Sequence, residues 1–127
     1  MIPFGPATRI FVAAGATDMR RSFDGLAEVV RQHLGEDPLS GHLYIFTNRR
    51  RNRLKILVWD GSGLWVCAKR LEEGTFRWPT AEAGRGKIRL SAEELALLLG
   101  GLDWPQAVQR RWWRRVSDET TTAAVSQ

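Results

Sequence analysis

The stretch from Leu43 to Pro79, LYIFTNRRRNRLKILVWDGSGLWVCAKRLEEGTFRWP, limits the fold more than any other part of the chain. Three apolar runs, Leu43–Phe46, Leu54–Trp59 and Leu64–Ala68, alternate with turn-forming segments. Their Leu, Ile, Val, Phe, Tyr and Trp side chains suit a pleated, packed surface. Asp60-Gly61-Ser62-Gly63 parts the second run from the third, and an Asp-Gly pair between apolar runs is a strong hairpin signal. The pattern predicts an antiparallel meander. Leu54, Ile56 and Val58 then share one face, and Lys55, Leu57 and Trp59 the other. Likewise Leu64, Val66 and Ala68 oppose Trp65, Cys67 and Lys69. Both faces are substantially apolar, so one packs on a helix and the other takes a second helix or a partner. Trp59 and Trp65, inside apolar runs, are expected in the core.

Around the meander the chain reads as strands and helices in one α+β domain. Arg9–Ala14 is a short strand candidate. Phe23, Leu26, Val30 and Leu34, with Ala27 and Val29, recur at helical spacing. Asp18 or Ser22 can cap that helix, Gly35 ends it, and Gly25 within it marks a place that wants a small residue. Thr75–Trp78 reads as a short edge strand stopped by Pro79, Thr80–Gly86 as a loop, and Lys87–Leu90 as a last short strand. Ser91 and Glu94 form a capping box ahead of Leu95, Leu98 and Leu99, with Gly100 and Gly101 closing the helix. Gln106–Val116 is expected as a third helix and Ser117–Gln127 as a disordered tail. The expected fold is an antiparallel meander sheet of about four to six strands packed with two or three helices, with residues 1–116 as the domain and 117–127 outside it.

Charge is the second constraint. Lys and Arg number 19 against 14 Asp and Glu, a net charge of +5 and a pI near 10.3, which favours polyanionic partners. The excess is concentrated: Arg49, Arg50, Arg51 and Arg53 lie in the first turn of the meander, Lys55 follows, and no acid occurs between Leu43 and Trp59. Like charges packed this closely repel, and a phosphate backbone relieves that. Lys69, Arg70 and Arg77 extend the candidate nucleic-acid-binding set, and Trp78 beside Pro79 is a candidate partner contact. RRWWRR (Arg110–Arg115) mixes cations and rings, making Arg110, Arg111, Trp113 and Arg114 further candidate partner contacts. The competing reading of every such cluster is a solvated face neutralised by nearby carboxylates, here Asp60, Glu72 or Glu73.

Several chemistries are disfavoured. Cys67 is the only cysteine, so no intrachain disulfide or multi-cysteine metal site can form, and its apolar run fits a small core residue in a reducing cytoplasm. His33 and His42 lack metal-ligand spacing. Asp18, Asp24, Asp60 and Asp103 each have a simpler role as cap, helix surface or turn residue. GRGK (Gly84–Lys87) is too short for a phosphate-binding loop of the Walker type. No nucleophile elbow, cofactor motif, membrane span or secretory signal is expected.

TDMRRSFDGLAEVV (Thr17–Val30), the stretch Asp37–Pro79, and LSAEELALLLGGLDW (Leu90–Trp104) together cover most of the chain in order. In these segments the chain resembles the TnpB family of small accessory proteins of IS66-type insertion sequences. The RNA-guided nucleases that share that label are unrelated, being far longer and carrying a nuclease acid triad. The resemblance implies a role assisting transposition beside a separately encoded, larger transposase that holds the catalytic acids. It carries over no catalytic residue. Residues after Pro105 lie outside it. Two functions follow as expectations: a non-catalytic factor that binds nucleic acid, DNA first, through the basic hairpin, or a protein–protein adaptor for the transposase.

Overall fold

The computed structural model describes residues 7–79 and 86–100. Strand β1 is Ile10–Ala13, β2 Leu43–Thr47, β3 Arg53–Trp59, β4 Leu64–Arg70 and β5 Lys87–Leu90; helix α1 is Phe23–Val29 and α2 Ala92–Gly100. The strands form one sheet in the order β4-β3-β2-β1-β5. β2, β3 and β4 are the antiparallel meander that the apolar runs require. β1 lies parallel to β2, with Ile10 opposite Leu43 and Val12 opposite Ile45. That pairing follows from α1, which carries the chain back before β2 starts, as a parallel neighbour demands. β5 then pairs antiparallel with β1. The fold class is α+β, with a mixed sheet whose pairings are mostly antiparallel.

Each sheet face has its own core. Phe11, Ala13, Tyr44, Phe46 and Leu57 meet Leu26, Ala27, Val29, Val30 and Leu34 of the α1 segment. Ile10, Val12, Ile45, Leu54, Ile56 and Val58 meet Phe76, Trp78, Leu95 and Leu98 on the opposite face. β2 is central and every one of its residues is buried. Its one buried polar residue, Thr47, donates from Oγ1 to the carbonyl of Arg53 at 2.8 Å. Tyr44 stacks on Phe11 and sends its hydroxyl to the carbonyl of Asp37; burial, foremost, pushes its phenol pKa up.

Local chemistry accounts for the helix ends. Helix α1 continues as a π-helical turn, Val30–Leu34, and stops at Gly35 with φ 65, a conformation glycine adopts without penalty. Ser22 holds the first position with its carbonyl, which accepts the Leu26 N–H, and its side chain makes no capping bond. Asp18 instead binds Arg20. A Cβ added at Gly25 would come within 3.0 Å of the Arg21 Cβ, which explains the small residue there. At α2 the capping box is complete: the Ser91 N–H donates to Glu94 Oε1 at 2.8 Å and the Glu94 N–H to Ser91 Oγ at 3.1 Å.

Two expectations are corrected. Residues 75–78 are not a strand: the segment crosses the α2 face of the sheet, burying Phe76 and Trp78. Trp78, the candidate partner contact, is only 7% exposed and its indole N–H donates to the Ala13 carbonyl at 2.9 Å, so in this fold it packs against the sheet. Conversely Trp65, expected in the core, is 45% exposed, because β4 is an edge strand and α2 leaves its outer side uncovered. Residues 1–6, loop residues 80–85, and everything after Gly100 lie outside the described residues; these include the expected Gln106–Val116 helix, with Arg110, Arg111, Trp113 and Arg114, and the expected 117–127 tail.

Candidate nucleic-acid interface

The turn between β2 and β3 is built by one side chain. Asn48 Oδ1 accepts the backbone N–H groups of Asn52 (3.0 Å) and Arg53 (3.1 Å), and Asn48 Nδ2 donates to Asn52 Oδ1 at 2.7 Å. The Arg51 N–H closes back onto the Asn48 carbonyl at 3.1 Å. Arg51 takes φ 60, a left-handed conformation that costs a non-glycine residue roughly 1 kcal/mol. The cost is offset by outside bonds: the Arg51 carbonyl accepts the Phe76 N–H at 2.7 Å and the Asn52 carbonyl accepts the Leu71 N–H at 2.9 Å. The segment after β4 thus buttresses the turn from behind.

On this rigid frame Arg49, Arg50 and Arg53 are exposed and Arg51 is half-buried. Among the described residues, none of the four guanidinium groups takes part in an ion pair. Register adds to the crowding: Arg53 stands directly opposite Arg70, and like charges in that position destabilise a sheet. Arg70 is answered by Glu72, 3.0 Å away; Arg53 is not. The other expected cations differ in kind. Lys55 donates to the Arg21 carbonyl at 2.9 Å and Lys69 to the Leu99 carbonyl at 2.6 Å. Lys55 ties the loop before α1 to the sheet and Lys69 ties the end of α2, while both keep their charge near the surface. Arg77 is exposed beside Phe76, the residue bonded to Arg51.

Three residues that sequence reasoning missed join this end of the molecule. Lys55 anchors the loop before α1, and the Thr17 N–H reaches the Thr47 carbonyl at 2.7 Å. Arg20, Arg21 and Phe23 therefore sit on the β3–β4 side of the turn although some 30 residues separate them from it in sequence. The Arg20 guanidinium is clamped on both oxygens of Asp18, which holds the Asp18 carboxyl well below its usual value, at about 2. Arg21 folds over Gly25 and donates to its carbonyl at 3.4 Å. Phe23 is 48% exposed. The sequence signal was the Arg20-Arg21 pair itself.

The arrangement can hold phosphates by charge and by guanidinium hydrogen bonds. An open cavity behind the α1 loop is lined in part by Thr17, Asp18, Arg21, Gln32 and His33. No group of three or more His, Cys, Asp or Glu among them is placed to hold a metal. No described helix is long and apolar enough to cross a membrane.

The sequence model of the family described as IS66 Orf2 like protein matches residues 8–109, which takes in both helices and the whole sheet. Uncharacterized protein y4hO of Sinorhizobium fredii is 42% identical over 112 residues, spanning 87% of this chain and 96% of that protein. Uncharacterized protein y4jC of the same organism is 38% identical over 102 residues, spanning 80% and 86%. No solved structure matches the chain. By the extent of that match, the chain belongs to the IS66 Orf2-like family of insertion-sequence-associated proteins.

Proposed function

We propose that this protein is a non-catalytic accessory factor in the transposition of its insertion sequence, and that it binds DNA through the β2–β3 turn. One observation carries the reading. Four arginines stand on a turn braced by hydrogen bonds, and no carboxylate among the described residues neutralises them. A turn held this firmly loses little conformational freedom on meeting a phosphate backbone. Arg49, Arg50, Arg51 and Arg53 make the primary contacts in this reading, with Arg77, Lys55, Lys69 and Arg70 supplying the surrounding field.

The test is a salt series of binding to element-end DNA. About four or five phosphate contacts imply that affinity falls by roughly two to three decades between about 50 and 200 mM salt. The Arg49→Ala/Arg50→Ala/Arg51→Ala/Arg53→Ala variant should lose the gel shift and keep the wild-type circular dichroism spectrum. Unchanged binding by a folded variant rejects the reading.

Docking to the separately encoded transposase is the second reading, and the exposed Trp65 on edge strand β4 favours it. It expects co-purification with the transposase that survives moderate salt and is lost in Trp65→Ala. Failure of the wild-type protein to co-purify counts against it.

A further inference from the structure

We infer that Phe23, flanked by Arg20 and Arg21, is a stacking platform for an unpaired base of a single-stranded polynucleotide whose phosphates lie on the Arg49–Arg53 turn. The inference rests on the nucleic-acid reading above and narrows it to a strand class. Leu26, Ala27 and Val29 of α1 are buried against the sheet, whereas Phe23, three residues before Leu26, keeps 48% of its surface in solvent. An aromatic left outside the core next to two arginines is the combination that single-strand binding sites use, since every base has a face to stack and cations track the backbone.

Placement supports it. The Lys55 bond to the Arg21 carbonyl fixes the segment leading into Phe23 over β3. Lys55 is two residues, about 7 Å, along the strand from Arg53, so ring and turn are within reach of one short run of nucleotides. Both flanking cations are held in place before any ligand arrives, Arg20 by Asp18 and Arg21 across Gly25. Bases inside a duplex are already stacked on their neighbours and cannot lie on the ring, so Phe23 should matter for single strands and not for duplex.

Fluorescence anisotropy with labelled oligothymidylate and oligouridylate of about 16 nucleotides, and with a duplex of equal length, tests this. Phe23→Ala should weaken single-strand binding about tenfold, the loss of one stacked base, and leave duplex binding within about twofold; Phe23→Tyr should restore it. A Phe23-dependent loss on only one of the two single strands supports the site and identifies whether it takes DNA or RNA. If Phe23→Ala binds both single strands as wild type does while the four-arginine variant loses them, the stacking inference is overturned and the phosphate reading stands. Should the four-arginine variant also bind normally, the underlying reading fails and this one with it.

Discussion

The two turns of the meander share a construction and differ in charge. At the β2–β3 turn the Asn48 side-chain oxygen accepts two backbone N–H groups, from Asn52 and Arg53. At the β3–β4 turn the Asp60 Oδ1 does the same for Ser62 and Gly63. Such side-chain turns satisfy backbone donors locally. The Asp60 carboxylate is further satisfied by the Ser62 hydroxyl and by the Trp65 indole N–H at 2.6 Å. The lesson lies in the residue at the corner. An aspartate at position 48 could accept the same bonds and would cancel part of the arginine charge, yet the corner is a neutral amide. The fold at that turn is satisfied without touching its electrostatics, which leaves the arginine charge uncancelled at the corner.

The largest effect expected from this contrast is on affinity. Asn48→Asp keeps the oxygen acceptor and gives up the amide bond to Asn52. It should weaken DNA binding by about tenfold at moderate salt, through one charge placed among the phosphate contacts. Asp60→Asn at the other turn should change it by less than about twofold. Equal behaviour of the two variants in a titration would break the contrast.

A smaller effect concerns backbone strain. Gly61 sits at φ 101 with open space around it. Gly61→Ala should therefore destabilise by about 1 kcal/mol through conformation alone, read from the urea midpoint. Arg51 already bears the left-handed strain, so Arg51→Gly should shift stability by less than about 1 kcal/mol while still lowering affinity.

Acid separates the turns most gently. Hydrogen bonds from the Ser62 backbone, the Trp65 indole and the Gly63 backbone hold the Asp60 carboxyl well below its ordinary value of 3.8. Its contribution to stability is therefore fully present above that value and is lost as pH falls through the lowered pKa. The Ser62 and Gly63 amide resonances should move in that acid range. The Asn48 turn has no titrating group at its corner, so the Asn52 amide should stay put, and Asp18 should titrate near 2.

Much of this was legible in the sequence. Alternating apolar runs gave the meander and the facing of Leu54, Ile56 and Val58, because strand periodicity is strict. Ser91 and Glu94 announced α2 through local geometry alone. What the sequence hid was non-local. Nothing in Arg9–Ala14 says that it pairs parallel with β2, since strand order depends on where α1 returns the chain. Trp78 and Trp65 exchanged expected roles for the same reason: burial was decided by a segment folding across one face and by an edge left open. The four-arginine turn was visible as a charge run, whereas Arg20, Arg21 and Phe23 join it only through the Lys55 and Thr17 bonds.

Strand β5 has a consequence for how the chain is made. It pairs with β1 across more than 70 residues, Ile10 against Leu90 and Ala13 against Lys87. While the polypeptide is emerging from the ribosome, β1 thus lacks its β5 partner until the residues from Lys87 on arrive. A nascent chain stopped before Lys87 would present that naked ladder to its neighbours on the polysome, with only the meander and α1 assembled behind it.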